Sequence, residues 1–253
     1  MFRKTALVTG GTSGLGFEVV ARLAEKGYNV FSLSKNQENI DIANKVYRTA
    51  KCRCRPSFMQ CDISDERSVE QAADIITSCI GHLDLLVNNA ATIKVGGIED
   101  LDFDDFERVM HVNVAGAFLV TKYMMKALKN SEDAKVINIS SVSGRMPSSS
   151  LAYSASKAAL DIMSKCMAKE LGKYGIRVNT VVPGMFDSGF QIHEGDTNSD
   201  DYEHIKEVCG KSYILGLGNI ENVADAVMYL TSDNCKWMTG SELVVDGGLS
   251  VMR

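Results

Sequence analysis

The stretch "TALVTGGTSGLGFEVVARLAEKG", residues 5–27, decides the fold. Thr5 to Thr9 form a short apolar run of the kind that makes a buried strand. A loop carrying Gly10, Gly14 and Gly16 follows, and residues 14–27 then show helical periodicity that ends at Gly27. Glycines permit a tight turn and a close backbone approach, so a pyrophosphate can rest on the N-terminus of the next helix. Thr12 and Ser13 add hydroxyl donors, and Leu15 sits between the last two glycines. A plain strand-to-helix turn is the other reading of this loop taken alone.

The same alternation continues outward from this unit. Apolar runs at 29–34, 57–62, 83–90, 134–141, 176–184 and 241–248 read as strands. Between them, 36–50, 64–81, 102–129, 152–173 and 220–232 carry helical spacing, the one at 64–81 opening on an acidic, Ser-capped turn. Continuous apolar strands between helices imply a parallel sheet covered on both faces. Right-handed crossovers make it an α/β doubly wound, Rossmann-like sheet, and 253 residues fit one domain, 1–253. Ligands of such sheets bind beyond the carboxyl ends of the strands.

Composition narrows the function classes. A net charge of −5 gives no support to nucleic-acid binding. No apolar stretch reaches the roughly 18 residues of a membrane span, and the start is too short in apolar residues for a signal peptide. The seven cysteines, an odd number without C-x-x-C spacing, read as free thiols in a reducing compartment, so a cytoplasmic location is expected. His82, His111 and His204 have no cluster partners, and no metal site is expected. The basic run Lys45, Arg48, Lys51, Arg53 and Arg55 reads as a solvated face at a helix end.

Two further patterns carry chemistry. After the second strand stand Ser34 and Lys35, where an NAD site usually places a carboxylate for the ribose 2′-hydroxyl. A lysine with a hydroxyl attracts a 2′-phosphate instead, so NADP(H) is expected over NAD(H). In "AYSASKAAL", 152–160, Tyr153 and Lys157 lie one helical turn apart on one face. An ammonium ~4 Å from the phenol at an effective dielectric of ~20 favours phenolate by ~4 kcal/mol, or ~3 pKa units. Lys157 is therefore expected to lower the Tyr153 pKa and make it a general acid/base.

Taken in order, "TGGTSGLG", "CDIS", "NNAA", "HVNV", "NISSVSG", "YSASK", "NTVVPG" and "VVDGG" resemble the short-chain dehydrogenase/reductase family, from Thr9 to Gly248. The resemblance implies ketone/alcohol interconversion by Asn113, Ser141 (rather than Ser140), Tyr153 and Lys157. It implies cofactor contacts at Asp62 and Ile63 for the adenine, Asn89 and Ala90 for the ribose, and Pro183, Gly184 and Ser188 around the nicotinamide, beside Tyr153 and Lys157. Ala91 departs from the family's glycine at that place. It also implies homodimers or homotetramers paired through the long helices 102–129 and 152–173.

Residues 185–216 are polar and acidic, with five acids and no cation over 194–203, and read as a substrate lid. His193 is a substrate contact or a solvated lid residue. Ser143, Arg145, Met146, Ile93, Lys94 and Val95 are candidate pocket residues. The expected partner is a small-molecule carbonyl or alcohol. Alternatives are a 3-oxoacyl-carrier-protein reductase, which the acidic lid disfavours, and a nucleotide-sensing regulator, which predicts a broken catalytic set.

Overall fold

The computed structural model describes residues 3–50, 52–193 and 197–252, without the side chains of Gln191 and His193. Strand and helix alternate from the start: β1 (Thr5–Thr9), α1 (Gly14–Glu25), β2 (Asn29–Ser34), α2 (Gln37–Thr49), β3 (Ser57–Gln60), α3 (Glu66–Cys79) and β4 (Leu85–Asn88). Then come α4 (Phe103–Met110), a π-helical turn (His111–Gly116), α5 (Ala117–Lys129), β5 (Lys135–Ile139), α6 (Leu151–Leu171) and β6 (Arg177–Pro183). The chain closes with β7 (Phe186–Asp187), α7 (Phe190–His193), α8 (Ser199–Ser212), β8 (Gly218–Asn219), α9 (Ile220–Thr231) and β9 (Glu242–Val245).

Seven strands pair in parallel in the order β3-β2-β1-β4-β5-β6-β9. β1 and β5 are buried along their whole length, as strands covered on both faces must be. Alternate side chains feed two cores. Leu7 of β1 joins α3, α5 and α6 on one side, and Ala6 and Val8 join α1 and α9 on the other. Strand order reverses between β1 and β4, so a crevice opens beyond their carboxyl ends. β7 and β8 form a separate two-stranded ribbon beside it.

The glycine loop lines this crevice. Gly10 and Gly14 have φ of 67° and 50°, conformations that favour glycine. At Gly16 the constraint is space: a Cβ would stand 2.2 Å from the Gly10 carbonyl oxygen and 2.5 Å from Asn89 Nδ2. The loop can close against Asn89 only because that side chain is missing.

Two local expectations need correction. The helix expected over 102–129 is interrupted by the π turn at His111–Gly116, which holds Asn113. The α3 cap is Asp65, whose side chain accepts from Arg67 N at 3.0 Å, because Ser64 Oγ is committed to Asp62 Oδ1 at 2.6 Å. Among the described residues no helix is long and apolar enough to cross a membrane.

The packing at Gly16 gives a direct stability test. Gly16→Ala should lower Tm by roughly 3–10 °C, the scale of an overpacked site in a chain of this size. Gly172→Ala is the matched control: its φ is −55° and nothing lies within 4 Å, so Tm should hold or rise slightly. Thermal melts of both variants decide it, and equal Tm values would remove the close approach as a constraint.

Candidate active site

Two adjoining cavities lie beyond the carboxyl ends of the strands. The first, of about 330 Å³, runs from the glycine loop past the tips of β2, β3 and β4. The second, of about 320 Å³, lies between Ser141, Tyr153 and the segment after β6. Ser188 and Phe190 line both, so the cavities meet there.

Gly10, Thr12, Ser13, Gly14, Leu15 and Gly16 all line the first cavity. So do Ser34, Lys35, Asp62, Ile63, Asn89 and Ala90. The loop is fixed from behind by Asn89, whose Nδ2 donates to the Thr9 and Gly10 carbonyls at 3.0 and 3.2 Å. Thr12 Oγ1 and Ser34 Oγ are 2.9 Å apart, tying the loop to the end of β2. The cradle fits a dinucleotide: the glycine loop and the first turn of α1, Gly14 to Gly16, line the space where a pyrophosphate would lie.

Asp62 is more occupied than expected. Oδ1 accepts from the Ser64 N–H and hydroxyl, and Oδ2 lies 2.7 Å from Lys35 Nζ. Burial raises its pKa, but Lys35 and Ser64 outweigh burial and hold it below the usual carboxylate range. Among the described residues none but glycine has a left-handed φ, so Ala91 keeps ordinary backbone geometry.

The second cavity gathers the other candidates. Ser141, Tyr153, Pro183, Gly184 and Ser188 line it. Ser141 precedes the tight turn Val142–Gly144 and its Oγ accepts from Ser143 N at 3.2 Å. That turn can lie on α6 because Gly144 has no Cβ, which would otherwise stand 2.8 Å from the Ala158 amide nitrogen. Lys157 is buried at 2% exposure, donates to the Ile139 carbonyl at 2.8 Å, and lies 5.4 Å from the centre of the Tyr153 ring.

Asn113 binds three elements together. Its Oδ1 accepts from Thr92 N at 2.8 Å, and its Nδ2 donates to Thr92 O and Ser156 Oγ, each at 2.9 Å. Ser156 in turn donates to the Tyr153 carbonyl at 2.7 Å. The π turn therefore ties the loop after β4 to the first turns of α6.

The electrostatics reverse one expectation. Burial pushes the Tyr153 phenol up to about 12, with Ser141 opposing it. Burial pushes Lys157 down to about 8, with Asp161 opposing it. The expected lowering of Tyr153 by Lys157 does not occur in the protein alone, because loss of hydration outweighs the Ser141 hydrogen bond at the phenol and the Asp161 charge at the ammonium. Lys157 has a folded pKa below its unfolded value, so its charge opposes folding below about pH 8 and this penalty fades as pH rises. Asp161, one turn beyond Lys157, is buried at 7% exposure; burial raises its pKa, opposed by Ser140 and Arg145.

Of the candidate pocket residues, Ile93, Ser143 and Met146 line the second cavity. Arg145, Lys94 and Val95 do not. Arg145 Nη2 is held by Glu242 Oε2 at 2.6 Å, and Lys94 Nζ lies 3.9 Å from Asp105. The His193 side chain falls outside the described set.

Several lining residues went unread in the sequence. Asn36 and Asn39, at the start of α2, and Arg108 line the first cavity, and Arg108 donates to Thr92 Oγ1 at 2.6 Å. Tyr202, Cys209 and Tyr213 line the second. Their spacing of seven and then four puts them on one helical face, a signal present in the sequence. Tyr202 Oη accepts from the Ser188 and Gly189 amides at 3.2 and 2.9 Å, and Tyr213 Oη accepts from Met185 N at 3.0 Å. These two hydroxyls fasten α8 to the segment after β6.

A family model described as short chain dehydrogenase matches residues 4–199. Secoisolariciresinol dehydrogenase of Forsythia intermedia is 33% identical, with 98% of this chain and 89% of that protein aligned. The NADP-dependent (R)-specific alcohol dehydrogenase of Lentilactobacillus kefiri is 32% identical over 97% of this chain and 96% of that one. The ligand-free structure of Thermoplasma acidophilum aldohexose dehydrogenase superposes with a TM-score of 0.86 at 26% identity, covering 99% of this chain and 95% of that chain.

The raised phenol is open to titration. At pH ~10, where a free tyrosine is half ionised, Tyr153 should remain neutral in the protein without cofactor. Phenolate absorbance of wild type minus Tyr153→Phe should then be close to zero. A full phenolate's difference at that pH would show that Lys157, not burial, governs the group.

Proposed function

Because the chain belongs to the short-chain dehydrogenase family, we propose that it interconverts a ketone and a secondary alcohol by hydride transfer, with NADP(H) preferred to NAD(H). The observation that carries the reaction is the meeting of Ser141 and Tyr153 on one cavity, with the buried Lys157 cation behind the tyrosine ring. The relatives' names cover an aldohexose and secoisolariciresinol, so membership alone leaves the substrate open.

When bound, the nicotinamide supplies the hydride. Pro183, Gly184 and Ser188 would hold its ring end, and the glycine loop its pyrophosphate. Ser141 Oγ holds the substrate oxygen by a hydrogen bond. Tyr153 Oη gives that oxygen a proton in reduction and takes one back in oxidation. A phenol held neutral through neutral pH is always loaded for the reductive direction. Lys157 contributes the positive charge that stabilises phenolate once the proton has left. Asn113 positions this set through Thr92 and Ser156.

The NADP(H) reading rests on Ser34 and Lys35 at the tip of β2. Lys35 is paired with Asp62 yet 77% exposed, so its ammonium can turn to a 2′-phosphate. The N-terminus of α2, with Asn36 and Asn39 beside the same cavity, adds donors and a favourable dipole end. Residues 185–216 act as the substrate lid, with α8 as its body. Exposed Phe118 of α5 and Ile162 of α6 support pairing of these helices in a homodimer or homotetramer. The free cysteines support a reducing, cytoplasmic setting.

Two measurements test this reading. Tyr153→Phe should lower turnover by at least ~10²-fold while cofactor still binds; near-normal turnover refutes the role of Tyr153. Lys35→Ala should weaken NADPH by roughly tenfold and leave NADH nearly unchanged, the worth of one charged hydrogen bond reduced by the competing Asp62. Dissociation constants for both cofactors check it, and equal weakening of the two would make Lys35 an ordinary surface residue.

A further inference from the structure

The second cavity holds a contrast between what lies near it in sequence and what faces it in space. Arg145 and Lys94 neighbour its walls in the chain, and Lys206 and Asp187 belong to its lid. None of the four lines it, and every described lining residue is uncharged. Each charge is satisfied elsewhere. Arg145 bonds Glu242, Lys94 faces Asp105, and Lys206 Nζ lies 3.1 Å from Asp187 and 2.7 Å from Glu203.

Seven serines, among them Ser141, line one part of the wall, and aromatic, aliphatic and sulfur-bearing groups line the rest. Phe190 stands beside Tyr153 with ring centres 6.3 Å apart and planes tilted by 45°, so a flat apolar surface borders the reacting oxygen. Phe186 and Tyr213 extend that surface, and Met146 and Met185 close it. Aromatic faces are rigid and suit a ring, while methionines adapt to its outline. The volume of about 320 Å³ is at the small end for ligand pockets.

We propose that the substrate is a compact, uncharged cyclic or aryl ketone, or the matching secondary alcohol, and that carboxylated, phosphorylated and carrier-bound substrates are excluded. The inference rests on the reading of Tyr153 as the proton donor to a carbonyl. A charged group in this cavity would lose its water and meet no opposite charge. A carrier-bound thioester is further opposed by α8, whose Tyr202 lines the cavity and whose Asp200, Asp201 and Glu203 are exposed.

The test uses two ketones of the same shape, 4-isopropylcyclohexanone and 4-oxocyclohexanecarboxylate. Both are offered to the full-length protein with NADPH, and the binding of each to the Tyr153→Phe variant with cofactor is measured by calorimetry. The isopropyl ketone should be favoured by at least ~10²-fold in kcat/KM and should alone bind the variant. Met146→Arg, which places a cation in the wall, should narrow the preference at least ~10-fold. Equal or better use of the carboxylate overturns the substrate class and leaves the reaction standing. Selective binding of the isopropyl ketone without turnover upholds the class and refutes the reaction. Binding of neither ketone overturns the class.

Discussion

A single buried amide, that of Asn113, holds the site in register. Its three hydrogen bonds reach the backbone of Thr92 on one side and the hydroxyl of Ser156 on the other. At 2% exposure each of these bonds replaces one to water, and leaving any group unpaired there would cost about 1–3 kcal/mol. The π turn accommodates this arrangement by locally widening the helix that runs from α4 into α5. Through Ser156 the constraint passes directly to the Tyr153 backbone. The loop that borders the glycine cradle and the helix that carries the tyrosine are thereby fixed relative to each other.

The charge arrangement around that helix is one of burial first and attraction second. Lys157 Nζ lies over the Tyr153 ring, 5.4 Å from its centre, and donates to the Ile139 carbonyl. Removing both groups from water disfavours the charged form of each, which raises the phenol and lowers the ammonium. Asp161 on the next turn opposes the loss of the lysine's charge, and Arg145 and Glu242 continue the series of alternating signs toward the surface.

The helix α8 is fastened to the segment after β6 by two tyrosines. Tyr202 and Tyr213 contribute apolar ring surface to the cavity while their hydroxyls accept backbone N–H groups from the segment after β6. A tyrosine satisfies both requirements because one end is apolar and the other forms hydrogen bonds. On α8 the acids Asp200, Asp201 and Glu203 are exposed, and none of them lines the cavity.

The sequence by itself determined the alternation of strands and helices, the parallel sheet and the glycine cradle. These depend on local properties: hydrophobic period, the absence of a Cβ, and the i to i+4 spacing of Tyr153 and Lys157 on one helix face. It also carried Tyr202, Cys209 and Tyr213 at helical spacing, under a polar and acidic composition that drew attention to the charges of 185–216 instead. Only the tertiary structure decided which charges face the cavities. Arg145 and Lys94 stand beside pocket residues in the chain, but their partners Glu242 and Asp105 are supplied by β9 and α4. The π turn at Asn113 likewise depends on Thr92 and Ser156, each at least 21 residues away. The direction of the Tyr153 and Lys157 shifts was beyond the sequence for the same reason. Spacing on a helix gives the separation of two charges, whereas desolvation depends on every element packed around them, and here desolvation is the larger effect.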